Sequence, residues 1–212
     1  MACRATAFKK RTFDLLQKTL IERARQSGLL RGNSWAIVDS TGLETSHASR
    51  YFARVKQAGF QPSWPKLTVV CHSQSHFFIT ADVCLGPSND SPQFEKVVRP
   101  ACKLVGFDHV LADKGYDSEK HHKLCHEELR IKPIIGIRKG RIRNVVKSYY
   151  RGQLDQNFPK EIYGQRWQIE SAFSRTKRRL GPALCSRKWQ TQIRECHLRV
   201  LTHNIMILGA HS

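Results

Sequence analysis

The chain has 212 residues, 40% of them apolar, which is enough for one ordinary domain with a buried core and excludes global disorder. Against 17 Asp and Glu stand 36 Lys and Arg, and the resulting charge of +19 favours a polyanionic partner, most simply nucleic acid. The longest apolar stretch is broken by His203 and Asn204 and is too short to span a bilayer, and the N-terminal MACRATAFKKRTF lacks the apolar core of a secretory signal.

In chain order, FDLLQKTLIERARQSGLL predicts a first helix with apolar positions Phe13, Leu16, Leu20 and Ile21. WAIVD (Trp35 to Asp39), followed by STG, predicts a buried strand and then a loop. KLTVVCH and HFFITADVCL flank a polar turn at Ser73 to Ser75 and predict a hairpin. NDSPQFEKVVRPACKLV opens a helix, with Asp90 or Ser91 as N-cap and Pro92 at the first helical position. HVLAD (His109 to Asp113) predicts a strand. YDSEKHHKLCHEEL predicts a helix capped by Asp117 or Ser118, and IKPIIGI a fifth strand. A basic loop follows. YGQRWQIESAFSRTKRRLG (Tyr163 to Gly181) then predicts one helix, and a last helix runs from about Thr191 to Leu208.

The seven cysteines are odd in number, widely spaced and without a CxxC pair, which suits reduced thiols in a cytosolic compartment. HHKLCH sets His121 and Cys125, and His122 and His126, at helical i, i+4 spacing. No second ligand pair accompanies them, so the segment reads as a polar helix face rather than a zinc site.

These elements make an α/β chain with a five-stranded mixed sheet flanked by helices. The simplest arrangement sets the first and fourth strands side by side and parallel, with Asp39 and Asp113 at the same carboxyl edge. On a helix, at about 100° per residue, Tyr163, Arg166, Glu170 and Lys177 share an arc of about 60°. An apolar stripe of Ile162, Ile169, Phe173 and Leu180 runs beside that arc. Glu170 borders this stripe and can reach the edge carrying the two aspartates. Three carboxylates there repel one another unless a cation joins them, and oxygen-only ligation suits Mg²⁺ or Mn²⁺.

IVDSTGL around Asp39, HVLADKGYDS around Asp113, and a Y-x2-R-x3-E-x6-K signature filled by Tyr163, Arg166, Glu170 and Lys177 resemble a DDE transposase of the bacterial insertion-sequence type. RYFARV, GPSNDSPQF and YGQRWQIESAF add to the resemblance, which covers Ser34 to Leu208. It implies an RNase H-like DDE catalytic domain over residues 34–212, preceded by an N-terminal helical segment, 1–33. Relatives usually carry a DNA-binding domain before the first acid; here the expectation is that no separate one exists. That suggests a truncated copy, one half of a split reading frame, or a chain that works with a partner.

The implied activity is metal-dependent DNA strand cleavage and strand transfer, with Asp39, Asp113 and Glu170 holding two Mg²⁺ or Mn²⁺ ions per site. The implied partners are DNA at transposon ends and target, with room for a homodimer on DNA, and neither a membrane nor a small-molecule cofactor. The implied location is the bacterial cytoplasm, at the nucleoid. The alternative is a transposase-derived remnant or domesticated module that binds DNA and is catalytically silent. The family assigns Tyr163, Arg166 and Lys177 to contacts with transposon ends.

The residues themselves add further candidates for DNA contact. RKGRIRNVVKSYYRG carries Arg138, Lys139, Arg141, Arg143, Lys147 and Arg151 with no acid among them, so their charge is expected to be free for phosphates. Arg175, Arg178 and Arg179 form a second cationic face on the Glu170 helix. Tyr163, Trp167 and Phe173 read as packing residues.

Overall fold

Apolar, β-branched runs build the centre of the molecule. In the computed structural model, which describes residues 10–31, 35–45, 63–139, 146 and 148–211, β1 (Trp35–Gly42) is the middle strand of a five-stranded sheet. After a short β2 (Glu44–Thr45), the hairpin β3 (Trp64–His72) and β4 (Phe78–Gly86) pairs antiparallel on one side of β1. On the other side β5 (His109–Ala112) and β6 (Lys132–Ile135) pair parallel, giving the order β4-β3-β1-β5-β6. The parallel pairing of the first and fourth long strands is as expected. Strand β1 runs past its expected end at Asp39 to Gly42, because β3 stays in register with it down to Gly42↔Lys66.

The helices are α1 (Lys10–Gln26), α2 (Ser91–Leu104), α3 (Glu119–Lys123, widening into a π turn at Leu124–Leu129), α4 (Tyr149–Gln156), α5 (Lys160–Gly164), α6 (Trp167–Leu180) and α7 (Trp189–Gly209). A two-residue β7 (Ala183–Leu184) pairs with β2. Among the described residues no helix is long and apolar enough to cross a membrane.

Successive residues of β1 point to opposite faces, so two cores form. Ala36 and Val38 join Phe94, Val98 and Tyr116 on one face; Ile37 joins Ile169, Phe173 and Val200 on the other. The edge strand β4 is covered rather than left open. Asn204 of α7 accepts from Phe78 N–H at 2.9 Å and donates to Phe78 C=O at 2.7 Å, and the Gln17 amide of α1 donates to Phe78 and Ile79 C=O.

Several local expectations change. Helix α1 buries Phe13, Gln17, Ile21 and Ala24, whereas Leu16 is 43% exposed. The helix expected to run unbroken from Tyr163 to Gly181 is two helices, with Gln165 and Arg166 in a turn after Gly164, whose missing side chain makes it a poor helix interior. Asp90 and Ser118 stand at the N-caps of α2 and α3 but make no side-chain capping bond. The Asp90 carboxylate instead pairs with Lys66 at 2.5 Å.

Candidate active site

The last parallel pair between β1 and β5 is Val38↔Ala112. Asp39, within β1, and Asp113, just past β5, are the next residues after that pair, so they stand side by side where the parallel pairing ends, at the edge where open α/β sheets bind ligands. Asp39 accepts the Ser40 N–H at 2.9 Å, and its side chain is 23% exposed. Burial raises its pKa and the charge of Asp113 adds to that, while the Ser40 N–H and Arg166 oppose them. Glu170 lies in the first turn of α6, which packs against β1, and its side chain is 63% exposed.

Arg166 joins these groups. Its guanidinium donates to Asp39 Oδ2 at 3.1 Å and to Glu170 Oε1 at 3.3 Å. Burial would lower its pKa, but Asp39, Asp113, Tyr163 and Glu170 together raise it. The helix break carries Arg166 inward, because it sits in the turn before α6 rather than on the continuous arc the periodicity predicts. Arg166 thus bridges two of the three carboxylates, Asp39 and Glu170.

The donor set suits a hard divalent cation, since it consists only of carboxylate oxygens, two of them at neighbouring strand ends. Among the described residues, however, no three His, Cys, Asp or Glu side chains are grouped so as to hold a metal ion. The Arg166 guanidinium spans Asp39 and Glu170 where a metal would draw them together.

A cleft of about 720 Å³ opens beside these acids, lined by Asp39, Ser40, Thr41, Glu170, Lys177 and Arg178, with Phe173 and Pro182 as its apolar wall. Arg175 does not line it. It is half-buried and acts on the charge of the buried Cys71 and His203. Tyr163 is half-buried, its ring edge-on to Phe158 at 5.0 Å, and its hydroxyl lies against Gly136. Phe173 is buried as expected, but Trp167 is 53% exposed.

The basic segment is only partly free. Arg141, Arg143 and Lys147 lie outside the described residues. Lys139 pairs with Asp155 at 2.8 Å, and Arg151 grips Asp117 with bonds of 2.7 and 2.6 Å. The expectation that these two cations lack acidic partners is therefore corrected: the acids lie elsewhere in the chain, on α4 and ahead of α3. Within the HHKLCH segment His121, His122, Leu124 and Cys125 are buried, while Lys123 is exposed. His121 bonds Tyr116 C=O at 2.7 Å and stacks on Phe94, while His122 lies 3.8 Å from Asp117.

Sequence reasoning missed a chain of hydroxyls behind the acids. Ser40 Oγ lies 2.7 Å from Thr68 Oγ1 and 2.7 Å from Tyr116 Oη. The available signal was the hydroxyl residues just after each acid, in DST and DKGYDS.

A five-stranded mixed sheet of this order, with two acids at adjacent parallel strand ends and a third on a helix packed over them, defines an RNase H-like α/β domain. Residues 31–205 match the family Transposase DDE domain, and the chain belongs to that family. Among solved structures it is similar to piggyBac transposase in a cryo-EM synaptic complex with hairpin DNA, at 12% identity and a TM-score of 0.49, covering 93% of this chain and 53% of that one. It is also similar to Mos1 transposase catalytic domain with Raltegravir and Mg, at 7% identity and a TM-score of 0.34, covering 94% of this chain and 92% of that one. This chain thus spans about half the length of the piggyBac chain, at 53%.

Proposed function

We propose that this chain is the catalytic domain of a DNA transposase, cutting DNA strands and joining the freed 3′ ends to target DNA at Asp39, Asp113 and Glu170. One observation carries the reading: Val38↔Ala112 is the last parallel pair, so Asp39 and Asp113 emerge together, beside a cleft that also holds Glu170, Lys177 and Arg178. Membership of the transposase family and the charge of +19 support DNA as the substrate.

Asp39, Asp113 and Glu170 are the residues that would hold Mg²⁺ or Mn²⁺. Such ions supply Lewis acidity at the phosphoryl oxygens and a water of lowered pKa. Lys177 and Arg178 set positive charge along the cleft for the DNA backbone. Arg166 presents a planar fork that fits phosphate as well as carboxylate, so a DNA phosphate entering the cleft competes with Asp39 and Glu170 for it.

The test is nicking of supercoiled plasmid in Mn²⁺. Wild-type protein should nick and stop in excess EDTA. Asp39→Asn, Asp113→Asn and Glu170→Gln should each slow nicking by about a hundredfold or more, with plasmid retention on filters equal or raised. Near wild-type nicking by Glu170→Gln would remove that residue from the set.

A second reading, a catalytically silent DNA-binding module, is favoured by Arg166 bridging Asp39 and Glu170. Wild-type protein that retains plasmid but leaves no nicks in Mn²⁺ would select it.

A further inference from the structure

Two segments must be held in register for Asp39 and Asp113 to act together, and one buried residue is bonded to both, by its backbone to one and by its side chain to the other. Tyr116 closes the turn after Asp113, its N–H donating to Asp113 C=O at 2.9 Å. It is fully buried, with its ring 5.9 Å from Phe94. Its hydroxyl lies 2.7 Å from Ser40 Oγ, and Ser40 N–H in turn holds the Asp39 carboxylate at 2.9 Å. Thr68 Oγ1 on β3 lies 2.7 Å from the same Ser40 Oγ. The path from the Asp113 backbone to the Asp39 carboxylate therefore runs through two residues, Tyr116 and Ser40.

We propose that Tyr116 is a positioning residue for strand cleavage, tying the Asp113 turn to the Asp39 strand through Ser40 and so fixing the separation of the two carboxylates. The inference rests on the reading of Asp39 and Asp113 as the catalytic pair. A phenol suits the task. Its two-torsion side chain is locked by packing, and loss of the hydroxyl leaves Ser40 and Thr68 still bonded to each other, so no buried polar atom is orphaned.

Tyr116→Phe should therefore fold with a melting temperature within a few degrees of wild type. Its nicking rate at saturating plasmid should fall by about tenfold or more, with the plasmid concentration for half-saturation unchanged. Mn²⁺ binding to the free protein, followed by the loss of the free Mn²⁺ electron paramagnetic resonance signal, should weaken by a similar factor. Ser40→Ala should do the same. Because Ser40→Ala already cuts the Tyr116–Ser40 connection, along with the bond to Thr68, the double variant should be no worse than Ser40→Ala, whereas independent sites would multiply their losses.

Wild-type Mn²⁺ binding and nicking in Tyr116→Phe would overturn the tie alone. So would multiplying losses in the double variant, or a lowered melting temperature with metal binding intact. If wild-type protein itself neither bound Mn²⁺ nor nicked, the catalytic reading would fail and take the positioning role with it.

Discussion

At the scale of single residues the site leaves little room. A Cβ on Gly136 would lie 2.5 Å from Tyr163 Oη and 3.0 Å from Lys114 N, closer than van der Waals contact allows. Gly136 N–H also donates to Ala112 C=O at 3.1 Å, next to Asp113, so the backbone cannot simply retreat. Gly136→Ala should cost about 1–3 kcal/mol in urea unfolding, the usual range for overpacking. Adding Tyr163→Phe should recover part of that, because the hydroxyl is the nearest obstacle, while the contact with Lys114 N remains. A double variant no more stable than Gly136→Ala would show that Tyr163 yields freely. The placement of Asp39 and Asp113 side by side was legible in the sequence, because each follows an apolar run that forms one of two parallel strands. Gly136 was not, since what forbids a side chain there is a tyrosine from a distant helix.

At the scale of elements, hydrophobic periodicity found most helices and strands but not their junctions. It reads faces, and the faces of α5 and α6 follow a nearly common arc; the turn at Gln165 and Arg166 is set by tertiary packing of Ile162 and Tyr163 on one side and Ile169 on the other. Asp117 is a second case. Its sequence position suggests a helix cap, yet it accepts from Arg138 N–H at 2.7 Å and from the Arg151 guanidinium, clamping both flanks of the basic segment to the start of α3. Burial pushes the Asp117 carboxyl up, but nearby His122, the Arg151 guanidinium and the Arg138 N–H outweigh it and hold the group well below the usual carboxylate range. Below about pH 4 the unfolded chain therefore binds a proton that the folded one refuses, and stability falls as pH falls through that window. Asp117→Asn should lose on the order of 2–4 kcal/mol at neutral pH, show a shallower loss of stability between about pH 4 and 2, and exchange the Arg138 amide faster. An unchanged Arg138 exchange rate would show that the clamp is not what orders this flank.

At the scale of the whole molecule, the α/β class and the parallel placement of β1 and β5 were legible, because a long crossover between apolar runs admits few topologies. The way α1 and α7 close over the β4 edge was not, for it depends on Gln17 and Asn204 meeting across the full length of the chain, with Asn204 Nδ2 donating to Gln17 Oε1 at 3.3 Å. The fold also buries histidines in a strongly cationic protein. His72, His197 and His203 are each pushed down to about 4 from an ordinary value of 6.5, chiefly by burial. A histidine held neutral in the fold binds its proton more readily when unfolded, so stability rises with pH across this interval and is lost on acidification from about 6.5 towards 4. The urea midpoint should therefore drop steadily from pH 7 to pH 4.5, well above the range in which Asp117 titrates. His197 isolates one contribution: its ring stacks on Phe13 at 4.3 Å and its Nε2 has no hydrogen-bond partner among the described residues. His197→Phe keeps the stacking and gives up no bond at Nε2. It should flatten the dependence by up to one proton, about 1.4 kcal/mol per pH unit. Parallel urea titrations of both proteins at half-unit steps would measure it, and identical slopes would mean that His197 takes up its proton in the folded state.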